Sequence, residues 1–280
     1  KNLQIPYVVT SHSDILAGNS ERIQRGRVLR RCREILKHAA GVTHLTTYMA
    51  HASDVLFDTS AKSIIIQNGI DVQAWRPYLQ QNEANYMLAI GRLVPEKGFH
   101  HLLSAFHKLQ RLGNTTTSLV IAGDGTEMLA LQQQARVLGL NVVHGSEQMT
   151  DVPPSSVIFT GYVRGNRKKE LFAGAKLILF ASQPSCWEEA FGIVQLEAMA
   201  AGKAILASDV PAVRYLESLG MQAVKVKPDD TDAWAEQMAM ILQNTNGRHE
   251  MGRVNRAQAN LFDWAVIAQQ YQAFYAKLLK

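Results

Sequence analysis

From Tyr86 onward, short apolar runs alternate with stretches of helical periodicity, and that alternation limits the fold more than any other feature. YMLAIG, SLVIAGDG, SVIFTGYV, KLILFAS, KAILAS and QAVKVKP each read as a strand. Helical patterns follow most of them, among them one from about Pro95 to Leu112 and TEMLALQQQARVLG. Strands separated by helices of this length build a parallel, doubly wound α/β sheet, whose ligands gather at the carboxyl ends of the strands. The first 80 residues repeat the logic incompletely, with IPYVVT, VTHLTT and SIIIQNG as strand candidates. Three strands make a poor free-standing sheet, so this part reads as the back half of a second Rossmann-like domain. The expected division is residues 1–80, a partial N-terminal domain; 81–254, a complete ligand-binding domain; and 255–280, a closing helix. Ile66 to Asn85, with its Asn-Gly and Arg-Pro breaks, is the expected linker.

A chain of 280 residues, 47% hydrophobic and 19% charged, has enough apolar material for full cores. No apolar run approaches the ~18 residues of a membrane span, and the start carries no signal-peptide pattern. Cys32 and Cys186 are too few, and in contexts too different, for a disulfide framework or a zinc site, so the expected compartment is a reducing cytoplasm; no metal and no cofactor is expected. Lys1 in place of an initiator methionine suggests a piece of a longer gene product. The net charge of +5 is uneven, since Arg22 to Lys37 holds six Arg and one Lys against one Glu. This segment is either a solvated helix face or a surface for an anionic acceptor or anionic lipid, the last of which would place the protein peripherally at the inner face of a membrane. Nucleic acid is disfavoured as a partner, because no aromatic platform accompanies the charge. In the final helix, Phe262, Trp264, Tyr271, Phe274 and Tyr275 form a stripe that reads as packing.

EEAFGIVQLEAMAAGKAI, Glu188 to Ile205, sets Glu197 inside an apolar helix expected to begin near Phe191. A desolvated carboxylate needs a strong partner. The helix N-terminus beside Gly192 offers free N–H groups and a positive dipole end to an anion. Eight residues separate Glu189 from Glu197, about 12 Å of helix axis. They fall within about 80° of one face, whereas Glu188 lies about 180° away. Carboxylates at this spacing suit hydroxyl pairs on two sides of a diphosphate, as on a ribose and a hexose. The alternative for Glu197 is a salt bridge to a nearby Lys. GRLVPEKG adds Arg92 and Lys97 beside Gly91 and Gly98 at a strand-to-helix turn, two cations able to neutralise a diphosphate without a metal.

GRLVPEKG, LVIAGDG, VIFTGYV and SQPSCWEEAFGIVQLEAMAAGKAILAS together resemble glycosyltransferase family 4, retaining enzymes of the two-domain GT-B fold. The likeness runs from about Asn68 to the final helix and includes the E-x7-E pair, Glu189 and Glu197. It implies that Glu189 contacts the donor sugar, that Glu197 contacts the ribose, and that Arg92 and Lys97 hold the diphosphate beside Gly91. It implies that Ala190, Phe191, Gly192 and the helix start at Ile193 place sugar and phosphate, and that Thr160 to Val163, including Tyr162 and Val163, line the base pocket. His12 matches a histidine often beside the donor sugar. The closing helix matches one that crosses back to the N-terminal domain. Ala190 stands where the family most often has Gly, and the N-terminal glycine-rich loop of such families has no counterpart in this chain.

The resemblance therefore implies a metal-independent retaining hexosyltransferase acting between a UDP- or GDP-hexose and a glycan or lipid-linked acceptor in cell-surface polysaccharide synthesis, such as that of lipopolysaccharide. Nothing in FTGYVRGN decides between the two bases. A GT-B-like sugar-nucleotide epimerase would share the architecture but release product without an acceptor. A non-catalytic nucleotide-binding module would bind the diphosphate without turnover.

Overall fold

The computed structural model describes residues 5–12, 26–113, 116–145, 152–184, 189 and 191–279. These fall into two compact units. The smaller comprises Lys1–Ile70, Pro184–Gly192 and Leu261–Lys280, and the larger Asp71–Gln183 and Ile193–Asn260.

In the larger unit, seven parallel strands form one sheet. They are β4 (Tyr86–Ile90), β5 (Ser118–Ala122), β6 (Asn141–His144), β7 (Ser156–Gly161), β8 (Leu177–Phe180), β9 (Ile205–Ser208) and β10 (Val224–Val226). Their order is β10-β9-β8-β4-β5-β7-β6. The chain winds from β4 in one direction and returns at β8 to wind in the other, which puts the switch point between β4 and β8. β5, β8 and β9 are buried along their whole length, as both-face coverage by helices requires. β6 is the strand that periodicity misses. NVVH has two apolar residues between exposed ends, and its structure comes from pairing at the sheet edge with β7.

The helices of this unit are α3 (Phe99–Arg111), α4 (Met128–Val137), α5 (Gly165–Gly174), α6 (Ile193–Ala200), α7 (Pro211–Ser218), α8 (Thr231–Gln243) and α9 (Thr245–Ala259). α3 begins after a 3-10 turn, Pro95–Lys97, rather than at Pro95. Its Phe99, Leu102, Leu103, Phe106 and Leu109 enter one core with Leu119, Ile121, Leu179 and Trp234. Asp230 caps α8 by accepting from the Ala233 N–H, and Asn244 caps α9 by accepting from the Gly247 N–H. These side chains satisfy N–H groups that the helix itself cannot.

In the smaller unit, β1 (Val8–Ser11), β2 (Gly41–His44) and β3 (Ser63–Ile65) pair in parallel in chain order. Its helices are α1 (Gly26–His38), α2 (Thr47–Phe57) and α10 (Trp264–Leu278). α1 buries Leu36 and exposes Arg27, Arg30, Arg31 and Arg33; Arg22 and Arg25 lie outside the described residues. α10 packs Ile267 and Phe274 against Ile66. The aromatic stripe is thus narrower than its sequence pattern. Phe262 and Phe274 are buried, but Trp264 and Tyr275 are exposed, and the aliphatic Ile267 carries much of the contact. His44 is buried on β2, and burial pushes its pKa down to about 4, keeping the imidazole neutral. Among the described residues, no helix is long and apolar enough to cross a membrane.

Candidate functional site

At the carboxyl ends of β4, β5 and β7 lies a cavity of about 470 Å³. The turn after β4 contributes Gly91 and Arg92, the turn after β5 contributes Gly123 and Asp124, and the turn after β7 contributes Tyr162 and Val163. The first two turns of α5 and α6 close it with Lys168, Lys169, Val194 and Glu197. Its size is that of ordinary small-molecule pockets.

Two glycines make the turns possible. Gly123 has φ of 140°, and a Cβ there would stand 1.8 Å from the Gly91 carbonyl oxygen. Any side chain would push the β4 and β5 turns apart and distort the cavity floor. Gly98 has φ of 65° and would bring a Cβ within 2.1 Å of the Ala181 carbonyl oxygen. The turn between Arg92 and α3 therefore packs directly on the chain leaving β8.

Glu197 meets Lys168. The ammonium Nζ of Lys168, on α5, donates to Glu197 Oε1, on α6, at 2.5 Å. The Glu197 side chain is only 13% exposed, and its second oxygen, Oε2, is buried with no hydrogen-bond partner among the described residues. Burial pushes the Glu197 carboxyl above the usual carboxylate range, and the Lys168 charge and hydrogen bond pull against it. The expected alternative of a lysine salt bridge is present, yet it satisfies only one oxygen. Lys168 itself was not singled out by sequence reasoning. Its signal, the Lys-Lys pair in NRKKELF after the GYV turn, looks like any exposed helix start.

The structure brings Gly91, Arg92, Tyr162, Val163 and Glu197 to one cavity. Arg92 is exposed there, and Tyr162 is 75% exposed with its ring at the rim. Lys97 does not line the cavity. The 3-10 turn sets its ammonium 5.8 Å from the centre of the Phe180 ring. Ile193 opens α6 and is 51% exposed. Glu189, Phe191, Gly192 and His12 belong to the smaller unit. There Glu189 is half-buried, His12 is exposed and Gly192 has φ of 76°. Phe191 is buried with its ring edge-on to Phe262, centroids 6.4 Å apart. Ala190 lies outside the described residues.

The family described as glycosyl transferases group 1 matches residues 71–258, two thirds of the chain and nearly all of the larger unit. The chain belongs to this family. The glycogen synthase of Mycobacterium tuberculosis is 31% identical over 214 residues, 74% of this chain and 47% of its own length. The phosphatidyl-myo-inositol mannosyltransferase of Mycolicibacterium smegmatis is 31% identical over 221 residues, 76% of this chain and 51% of its own. The chain thus spans about half the length of these curated relatives. HepE of Anabaena, solved in complex with UDP and glucose, superposes with a TM-score of 0.75 at 22% identity. The superposition covers 97% of this chain and 71% of HepE. That likeness shows the fold, the parallel, Rossmann-like α/β architecture of GT-B glycosyltransferases. The cavity of this group 1 member lies within the matched segment.

Proposed function

We propose that the chain is the donor-binding part, with some of the acceptor-binding part, of a retaining, metal-independent hexosyltransferase of the family 4 type. In this reading residues 81–254 bind the nucleotide sugar and residues 1–80 belong to the acceptor side. The observation that carries it is Glu197: a mostly buried carboxylate that lines a cavity also holding Arg92 and Lys168. A carboxylate so placed is costly unless it has a strong partner. The ribose of a nucleoside diphosphate supplies hydroxyls for it, and the exposed ring of Tyr162 offers a face to the base. UDP is the nucleotide proposed first, being the one held by HepE. Glycogen synthase and the mannosyltransferase carry a glucan and a lipid in their names, consistent with a glycan or lipid-linked acceptor here.

Transfer with retention needs no protein nucleophile in this scheme. The bond from the sugar carbon to the diphosphate breaks, and the incoming hydroxyl adds on the same face. Its proton passes to the departing diphosphate oxygen. The chain's contribution is electrostatic: Arg92 in the cavity lining, and Lys97 from over Phe180 at the end of β8, the strand beside β4, hold the charge of the leaving group, and Glu189 orients the sugar.

The two cations give the test. Arg92 is exposed and Lys97 rests over an aromatic ring, so changing both to Ala costs about 1 kcal/mol of stability. The double variant is expected to weaken diphosphate binding about tenfold or more and nucleoside binding little, since charge-assisted hydrogen bonds are each worth roughly 1.5–3 kcal/mol. Thermal-shift titration with uridine, UDP, guanosine and GDP reads both. A loss of equal factor for nucleoside and diphosphate would remove Arg92 and Lys97 from the phosphate.

The exposed Arg27, Arg30, Arg31 and Arg33 of α1 support reversible docking on anionic lipid. Sedimentation with phosphatidylserine vesicles should bind the chain at low salt and release it at high salt, because surface attraction is screened within a Debye length. Binding indifferent to salt and to Gln at these four positions would refute it.

A further inference from the structure

The ion pair between α5 and α6 is built into the cavity wall, and its asymmetry assigns a role to a residue that nothing else accounts for. Lys168 projects from the first turn of α5, 71% of its side chain covered, and reaches one oxygen of Glu197. The other oxygen is left buried and unpartnered among the described residues. The lysine thus restrains the carboxylate at the cavity wall through one oxygen. Resting on the proposed nucleotide site, we infer that Lys168 is a positioning residue for the ribose: by pairing with Glu197 Oε1 it keeps the carboxylate charged and set in the cavity wall, where it accepts from a ribose hydroxyl.

Two physical requirements meet in this pair. A carboxyl accepts from a hydroxyl more strongly when ionised, since protonation turns one of its oxygens into a donor. A carboxylate that is mostly buried tends toward its neutral form unless a cation stands beside it. Lys168 supplies the cation without touching the ligand. Other charged or titratable groups facing the same cavity come from each turn around it: Arg92 after β4, Asp124 after β5, Tyr162 after β7, and Arg164 and Lys169 beside Lys168 itself.

The test compares UDP with 2′-deoxy-UDP, and GDP with 2′-deoxy-GDP, on the full chain at about pH 6, 7.5 and 9, since burial raises the carboxyl and the cation opposes it. Wild type is expected to prefer the ribonucleotide by about tenfold, with little dependence on pH. In Lys168→Met that preference should collapse near pH 6 and recover in part by pH 9, as Glu197 ionises without its cation. Lys168→Arg should retain most of it. The double variant Lys168→Met/Glu197→Gln, which buries no unpaired charge, should show the collapse with no recovery, and it keeps the test open if the single variant folds poorly. A Lys168→Met preference equal to wild type at every pH would overturn this inference alone. Wild-type protein that binds none of the four nucleotides would overturn the nucleotide site as well.

Discussion

Glu83→Ala is expected to destabilise the larger unit by about 3 kcal/mol, at the lower end of the range for breaking a buried ion pair. Glu83 precedes β4 and gathers two cations and an imidazole from later parts of the chain. Arg248 Nη2, on α9, lies 2.8 Å from its Oε2, Lys203 Nζ, in the turn before β9, 3.3 Å from its Oε1, and His249 Nε2 3.4 Å from Oε2. The Arg248 and Lys203 side chains are 4% and 9% exposed, so removing the carboxylate strands two charges in the interior. Burial pushes the Glu83 carboxyl up, but the Arg248 hydrogen bond and the charges of Lys203 and Arg248 bring it net below its ordinary value, with His249 adding to them. Burial lowers Lys203 despite Glu83, and Arg248 repels it further. The carboxylate's charge therefore rests chiefly on Arg248, and Lys203→Met should cost less than Glu83→Ala.

The sign of the pH effect follows from that lowered pKa. The carboxylate stabilises the fold above the ordinary carboxylate range, and the contribution is lost as pH falls through the folded-state pKa. The gap between wild type and Glu83→Ala should thus be full at neutral pH and shrink in acid. Urea unfolding at both pH values measures it. A gap within ~0.5 kcal/mol at neutral pH, the usual range for an inconsequential surface change, would mean that the cluster is not a structural tie.

What the sequence disclosed divides along physical lines. Strands such as SLVIA and LILF are legible because a strand covered on both faces must be apolar throughout. NVVH is not, because an edge strand takes its order from a neighbour rather than from its own composition. The anomaly at Glu197 is legible too, since a carboxylate among Ala, Leu and Met is costly wherever it folds. Its partner's type was among the alternatives, but Lys168 lies 29 positions earlier on another helix. Only the packing of α5 beside α6 joins them. Lys97 shows the reverse. Its spacing from Arg92 suggests a shared pocket, while the 3-10 turn sends it over Phe180. The smaller unit draws on Pro184–Gly192 and Leu261–Lys280, far along the chain from its first 70 residues; the family resemblance implies the second of these, and no local pattern announces the first.

Glu197→Ala is expected to remove most of the affinity for a nucleoside diphosphate while leaving the chain folded. The carboxylate would accept from the ribose hydroxyls, and hydrogen bonds to a charged group are each worth roughly 1.5–3 kcal/mol, so the loss should reach about a hundredfold. The substitution sits at the cavity wall on a short helix whose Leu196, Ala198 and Met199 still bury themselves. Lys168 is left 29% exposed and can turn toward water. A melting curve on each variant separates loss of binding from loss of fold. Isothermal titration of UDP and of GDP into the wild-type chain and into Glu197→Ala tests the donor site most directly. The account predicts that wild type binds at least one of the two and that the variant binds it about a hundredfold more weakly. Equal affinity in both proteins, or no binding by a folded wild type, would contradict it.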